Sequence, residues 1–312
     1  MAVKTNIEAL RETLREEMRR DDRIIIIGED VGARGGVFRA TEGLLAEFGD
    51  KRVIDSPLAE SSIVAVAIGA ALNGLRPIAE IQFADFIHPA FNQIVNEVAR
   101  FRYRSNGQFS CPVVIRAPYG GGISGGLYHS QSVEALFAHV PGLYVVAPAT
   151  PHDMKGLLRA ALQAEDPVLF LEHKKTYRLV KGEVPEADYV VPIGKAEVRR
   201  VGSRLTVFAY GLMLHYALEA AETVAREGID AEIVDLRTLA PLDKETILES
   251  AMKTGKVLIV HEDTKTGGLG AEVSAIIAEE AFAYLDAPIM RLAGPDVPAM
   301  PFSHPMLDFF MP

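Results

Sequence analysis

Residues 205–236 read LTVFAYGLMLHYALEAAETVAREGIDAEIVDL, and this stretch decides the fold class. The short apolar run 205–210 predicts a buried strand, 214–226 predicts a helix stopped by Gly228, and 231–236 predicts a second strand. Two strands joined through a helix do not pair as a hairpin. They lie parallel, with the helix packed on a face of the sheet. The rhythm continues downstream: Asp243 caps a helix, 257–261 is a strand, 271–284 a helix and 289–292 a last strand.

The first half alternates in the same way. Thr5 and Glu8 have the spacing of a capping box, and Ile7, Leu10, Leu14 and Met18 follow at helical period. Asp21 and Asp22 end that helix; a strand is expected at 24–27, then a flexible polar run over 28–36. Further strands are predicted at 52–55, 77–83, 113–116, 144–147 and 168–172. Helices are predicted at 62–72, along Phe91, Ile94, Val95, Val98 and Phe101, and from Thr150, with Pro151 at the first helical position. Between residues 174 and 204 the pattern breaks at Gly182, Pro185, Pro192 and Gly194, which reads as an interdomain crossing with room for an edge strand. The expected architecture is α/β, with two domains at residues 1–185 and 186–312, each a mostly parallel sheet flanked by helices.

A length of 312 residues suits two domains. The 32 Lys and Arg against 42 Asp and Glu leave a net charge of −10, a poor electrostatic match to phosphate backbones or anionic lipid. Neither nucleic acid nor a membrane surface is therefore an expected partner. The single Cys111 rules out a disulfide framework and a Cys-based zinc cluster. No apolar stretch reaches the ~18 residues of a membrane span. The N-terminus has neither an apolar signal core nor an Arg/Ser-rich amphipathic arm, so a prokaryotic, cytoplasmic location is expected.

Ligands of doubly wound sheets gather beyond the carboxyl ends of strands, and four such places stand out. Glu60, in Asp55-Ser56-Pro57-Leu58-Ala59-Glu60, falls at the mouth of an apolar helix containing Ile63 and Val64. Such company would desolvate the carboxylate, which is how proteins tune a proton-handling acid; the plainer reading is a first-turn acid on the helix dipole. Gln82, Phe83, Asp85 and Phe86 offer a stacking wall beside an amide, or ordinary packing. Gly120, Gly122 and Gly125 match G-x-G-x-x-G, but no helix opens promptly after them; the stretch reads as a mobile loop presenting His129 beside Ser130 and Ser132. Residues 261–270, with free amides before a helix, suit an anion or a plain connection.

Taken in order, these segments resemble one family. Gly28-Glu29-Asp30-Val31-Gly32, Gly35-Gly36-Val37-Phe38-Arg39, Asp55-Ser56-Pro57-Leu58-Ala59-Glu60, Ala79-Glu80-Ile81-Gln82-Phe83-Ala84-Asp85-Phe86, Arg102-Tyr103-Arg104-Ser105, His129-Ser130-Gln131-Ser132 and Asp235-Leu236-Arg237-Thr238-Leu239 are collinear over nearly the whole chain. The series is similar to the beta subunits of the thiamine-diphosphate-dependent, decarboxylating component of 2-oxo acid dehydrogenase complexes. The resemblance implies a transketolase-like pyrimidine-binding domain followed by a transketolase C-terminal-like domain. It implies that Glu60 hydrogen-bonds the cofactor's aminopyrimidine, that Leu58, Gln82 and Phe86 line the pyrimidine pocket, and that His129 serves acyl transfer to a lipoyl arm. It also implies an alpha subunit that holds Mg²⁺ and the diphosphate, an α₂β₂ assembly, and a lipoyl-bearing dihydrolipoyl acyltransferase core as partner.

Departures limit what carries over. Gly49-Asp50 is followed by Lys51, so the G-D-G…N magnesium segment is not in this chain. The family's potassium site would fall at Val113, Ala161, Leu162 and Asp166, with Ala164 where a side-chain ligand is usual. His88 stands where an aromatic is common, and the chain stops at Pro312 where relatives continue into one more helix. Residues 81–86 and 128–132 look more like branched-chain members than pyruvate members. A pyruvate or acetoin dehydrogenase beta subunit is the alternative within the family; a nucleotide-binding protein using residues 120–125 is the alternative outside it.

Overall fold

Local chemistry sets the first helix. Thr5 accepts from the Glu8 amide, the Glu8 carboxylate accepts from the Thr5 amide at 2.8 Å, and the helix Asn6–Arg20 follows, burying Ile7, Leu10, Leu14 and Met18. A simpler cap, a side-chain oxygen accepting a first-turn amide, opens Pro151–Gln163 at Thr150 and Lys244–Thr254 at Asp243. In the computed structural model, which describes residues 1–312, these helices cover two large sheets. The seven-stranded sheet runs, in spatial order, Thr238–Ala240, Tyr144–Val146, Val168–His173, Val114–Tyr119, Arg76–Glu80, Ile24–Gly28 and Val53–Asp55. The five-stranded sheet runs Met290–Gly294, Val257–Thr264, Leu205–Ala209, Ala231–Asp235 and Glu197–Arg200. All neighbours are parallel except Thr238–Ala240 and Glu197–Arg200, each antiparallel at an edge. No helix is long and apolar enough to cross a membrane.

Several expectations change. Residues 28–36 are held down rather than flexible: the Gly32 amide donates to Asp55 Oδ1 at 2.6 Å, Thr41 donates to the Val31 carbonyl at 2.7 Å, and Val31 is fully buried. The helix expected along 91–101 is a wide π turn, Gln93–Glu97, then a 3₁₀ turn and a short helix, Phe101–Arg104. The wide turn keeps both Ile94 and Val98 on the buried side. In the irregular stretch, Lys181–Val184 pairs antiparallel with Ala2–Thr5, and Glu197–Arg200 supplies the edge strand. The strand Thr238–Ala240 was not expected. It leaves the five-stranded sheet's chain and borders the seven-stranded sheet beside Tyr144–Val146. Buried Asp153 anchors this crossing, pairing with Arg237 at 3.2 Å and with Arg199, which also reaches Asp235 at 3.1 Å.

Candidate active site

The parallel register lines up four strand ends. Gly28 sits opposite both Asp55 and Glu80, and Glu80 opposite Arg116, so the loops beyond these strands emerge side by side. Along that edge come Leu58 and Glu60, then Glu29 and Asp30, then Gln82, Phe83 and Phe86, then the glycine-rich loop with His129. Three of the four segments singled out by residue type, those of Glu60, Gln82 and His129, thus form one row, joined by the Glu29 loop.

Glu60 is the first residue of the helix Glu60–Leu72. Ile63 and Val64 turn into the core, and Glu60 stands half-buried on the rim. Leu58 is 73% exposed. Burial, reinforced by the charges of Asp30 and Glu60, raises the pKa of Glu29, which places three carboxyls in one electrostatic neighbourhood. Gln82 Nε2 lies 3.4 Å from the Glu29 carbonyl and 3.5 Å from Asp30 Oδ2, so its amide bridges the second and third loops.

The aromatic wall forms by 3₁₀ geometry. Ala84–Phe86 is a 3₁₀ turn with Phe83 before it, and three residues per turn put Phe83 and Phe86 on one side. Both rings meet the His129 imidazole edge to face, with centroids at 4.5 and 5.6 Å. His88, for which residue types gave no role, reaches the same loop, its Nε2 3.2 Å from Gln131 Oε1.

Below the row lies a buried polar layer. The Arg116 guanidinium bonds Glu80 at 2.5 Å and Glu172 at 2.6 and 2.8 Å, all three side chains nearly inaccessible. Glu262, from the five-stranded sheet, accepts from His173 Nε2 at 2.7 Å and from the Gly121 amide. Gly120 crosses over His173 with φ +86°; a Cβ there would fall 2.2 Å from Nε2, so only glycine fits. These glycines serve close packing, and the Gly121 amide is spent on Glu262, which leaves little of a phosphate cradle. The anion position before the helix Leu269–Glu280 is likewise filled, by the His261 ring packed against Gly268 and Gly270. Around the expected potassium position, Arg76 donates to the carbonyls of Leu162 at 3.0 Å and Ala164 at 2.9 Å, Asp166 pairs with Arg102, the Val113 carbonyl accepts from Val168 at 3.0 Å and the Ala161 carbonyl from Ala164 at 3.3 Å.

Sequence reasoning passed over Glu29, Lys174 and Glu262 as participants in this region and treated Asp85 only as a neighbour of the aromatics. Each follows a predicted strand, which is the one signal they carry. Their partners lie tens to hundreds of residues away.

Residues 3–180 match the family described as transketolase, pyrimidine binding domain, and residues 194–312 match transketolase, C-terminal domain. The chain is 61% identical over 311 residues to the 2-oxoisovalerate dehydrogenase subunit beta of Bacillus subtilis (strain 168), covering 100% of this chain and 95% of that one. It is 48% identical over 303 residues to the pyruvate dehydrogenase E1 component subunit beta of the same organism, covering 97% and 93%. Among solved structures, a split-gene transketolase in the form of an inactive beta4 tetramer superposes with a TM-score of 0.80 at 27% identity, covering 98% of this chain and 93% of the other. Two matched domains in this order, and identity of this extent across both, leave one conclusion: the chain belongs to the 2-oxo acid dehydrogenase beta subunits.

Proposed function

We propose that this chain is the beta half of a thiamine-diphosphate-dependent enzyme of the cytoplasm. It oxidatively decarboxylates a branched-chain 2-oxo acid of the 3-methyl-2-oxobutanoate type and passes the acyl group to lipoyl-lysine of a dihydrolipoyl acyltransferase core. It is active only when joined to an alpha subunit, in an α₂β₂ assembly. The observation that carries this reading is the row of Leu58, Glu60, Gln82, Phe86 and His129 on loops beyond adjacent parallel strands. An acid, an amide, an apolar residue, a flat ring and a base share one edge, and Leu58 stands exposed beside them. That donor set fits a flat, nitrogen-bearing pyrimidine.

Thiamine diphosphate, when bound, supplies the electron sink that lets the carboxylate of a 2-oxo acid leave as carbon dioxide. Glu60 holds a proton between its carboxyl and a ring nitrogen of the aminopyrimidine. Leu58 and Phe86 exclude water from the ring, and Gln82, tethered to the Glu29 loop, orients its polar edge. His129, steadied against Phe83 and Phe86, moves a proton at its imidazole as the acyl group reaches the lipoyl sulfur. Magnesium and the diphosphate fall to the alpha subunit. A potassium ion at Val113, Ala161, Leu162 and Asp166 would compete with Arg76 for the Leu162 carbonyl and with Arg102 for Asp166, and has no part in these steps. The higher identity to a 2-oxoisovalerate subunit than to a pyruvate subunit supports the branched-chain preference.

The test is Glu60→Gln in the co-expressed α/β enzyme, assayed with 3-methyl-2-oxobutanoate, pyruvate and acetoin in parallel. Loss of the proton-holding carboxyl should lower turnover by roughly 10²–10⁴-fold. Near-wild-type turnover would sink the role of Glu60, and a preference for pyruvate or acetoin in the unmodified enzyme would sink the substrate class.

A further inference from the structure

Asp85 takes no part in the steps above, yet it sits in the middle of the turn that makes the aromatic wall. Phe83 and Phe86 share one side of that turn, and Asp85 points the other way, into the protein, only 6% exposed. Its Oδ1 accepts from the backbone amides of Ser130 and Gln131, both at 3.0 Å. Those amides belong to the two residues that immediately follow His129. One three-residue turn therefore supplies both the rings on which the imidazole rests and the anchor for the backbone that carries it.

Burying a polar group costs free energy unless it is hydrogen-bonded. Here one side-chain oxygen gathers two successive backbone amides, which pairs both donors through a single acceptor. The Lys174 ammonium, itself buried, lies 5.7 Å from the Phe83 ring centre. Burial pulls its pKa down to about 8 while the charges of Asp85 and Glu262 oppose the shift. The far end of the same loop is held by the same means, the Gly121 amide on the Glu262 carboxylate.

We propose that Asp85 is the positioning residue for His129: through the amides of Ser130 and Gln131 it fixes the backbone from which the imidazole reaches the acyl group and the lipoyl sulfur. This rests on the role given to His129 above. A displacement of about 1 Å at a reacting group can cost on the order of 10²-fold, so the effect should fall on acyl transfer.

The experiment uses the co-expressed α/β enzyme with Asp85→Ala, Asp85→Asn and His129→Ala. Two rates are compared for each, acylation of a purified lipoyl domain and decarboxylation coupled to an artificial dye acceptor. Amide exchange is followed by mass spectrometry over residues 126–133. Asp85→Ala should lower the ratio of acyl transfer to dye-coupled decarboxylation by roughly 10–100-fold and speed exchange in that peptide. Asp85→Asn, which keeps an acceptor oxygen in place, should restore most of the ratio; a ratio no better than that of Asp85→Ala would overturn the acceptor role. Should Asp85→Ala fail to assemble, Asp85→Ser, whose hydroxyl is too short to gather both amides, is read in the same way. A wild-type ratio in Asp85→Ala beside a lowered ratio in His129→Ala would overturn the role of Asp85 alone. A wild-type ratio in His129→Ala would overturn the reading of His129 itself.

Discussion

Replacing Arg116 by Met tests whether the layer under the row is held by its charges. The guanidinium is 1% exposed and is the one cation paired with two carboxylates that are 4% and 0% exposed, Glu80 and Glu172. Methionine roughly keeps the volume and removes the charge. Glu172 retains only the Tyr177 hydroxyl as a donor, and Glu80 loses the one cation beside it. Breaking a buried pair in this way costs about 3–5 kcal/mol. The alternative open to the protein, taking up one proton at pH 7 on a group with an ordinary pKa of about 4.3, costs about 4 kcal/mol, the same size. The deficit therefore corresponds to about one proton. Burial already raises the pKa of Glu80 against the opposing charge of Arg116, and without Arg116 it rises further. A carboxyl whose folded pKa lies above its unfolded one contributes less stability as pH climbs between the two. The Arg116→Met deficit should accordingly be small near pH 4.5 and full at pH 8. Unfolding of the beta chain in the purified α/β enzyme, followed from pH 4.5 to 8, measures this; adding Glu80→Gln and Glu172→Gln should recover most of the loss. A deficit below about 1 kcal/mol, or one independent of pH, would refute the reasoning, since surface pairs behave that way.

Two further substitutions test other parts of the fold. Glu134, fully buried, has its pKa pushed up to about 8 by burial and by Asp263, against a bond from Tyr210 at 2.8 Å. It is therefore neutral when folded at pH 7, and its contribution to stability is whole below about pH 4.5 and falls as pH rises to 8. Glu134→Gln should match the parent near pH 4.5 and exceed it by ~3 kcal/mol at pH 7 in denaturant titrations; a variant less stable at pH 8 would contradict this. Gly142 has φ +93°, and a Cβ there would fall 2.0 Å from the Ala99 carbonyl, so Gly142→Ala should cost ~2 kcal/mol or more. A melting temperature within 1–2 °C of the parent, less than ~1 kcal/mol is worth in a chain of this size, would show that the backbone there yields.

What short-range chemistry controls was determined by sequence alone. The Thr5–Glu8 box, the caps at Thr150 and Asp243 and the turn at Gly228 act within a few residues, and the elements they bound lie where periodicity puts them. Alternation of strand and helix then demands parallel sheets, and parallel sheets put candidate residues at one edge. Glu60, Gln82, Phe86 and His129 were candidates because each lies beyond a strand, and the resemblance to a family then singled them out.

Tertiary structure decided everything that depends on which distant group comes near. Residues 28–36 look flexible until Asp55, across a parallel strand, takes the Gly32 amide. Glu60 looks packed against Ile63 and Val64 until the helix turns both inward and leaves the acid half-buried on the rim. The strand Thr238–Ala240 has no signal of its own, because its partner strand ends at Val146 and Asp153 anchors the arginine that precedes it. Asp85 could not be distinguished from any other polar residue beside an aromatic pair until its oxygen met two amides 45 and 46 residues away. Periodicity and caps reach a few residues along the chain. The burial and pairing of a charge are set by neighbours that only the folded chain assembles.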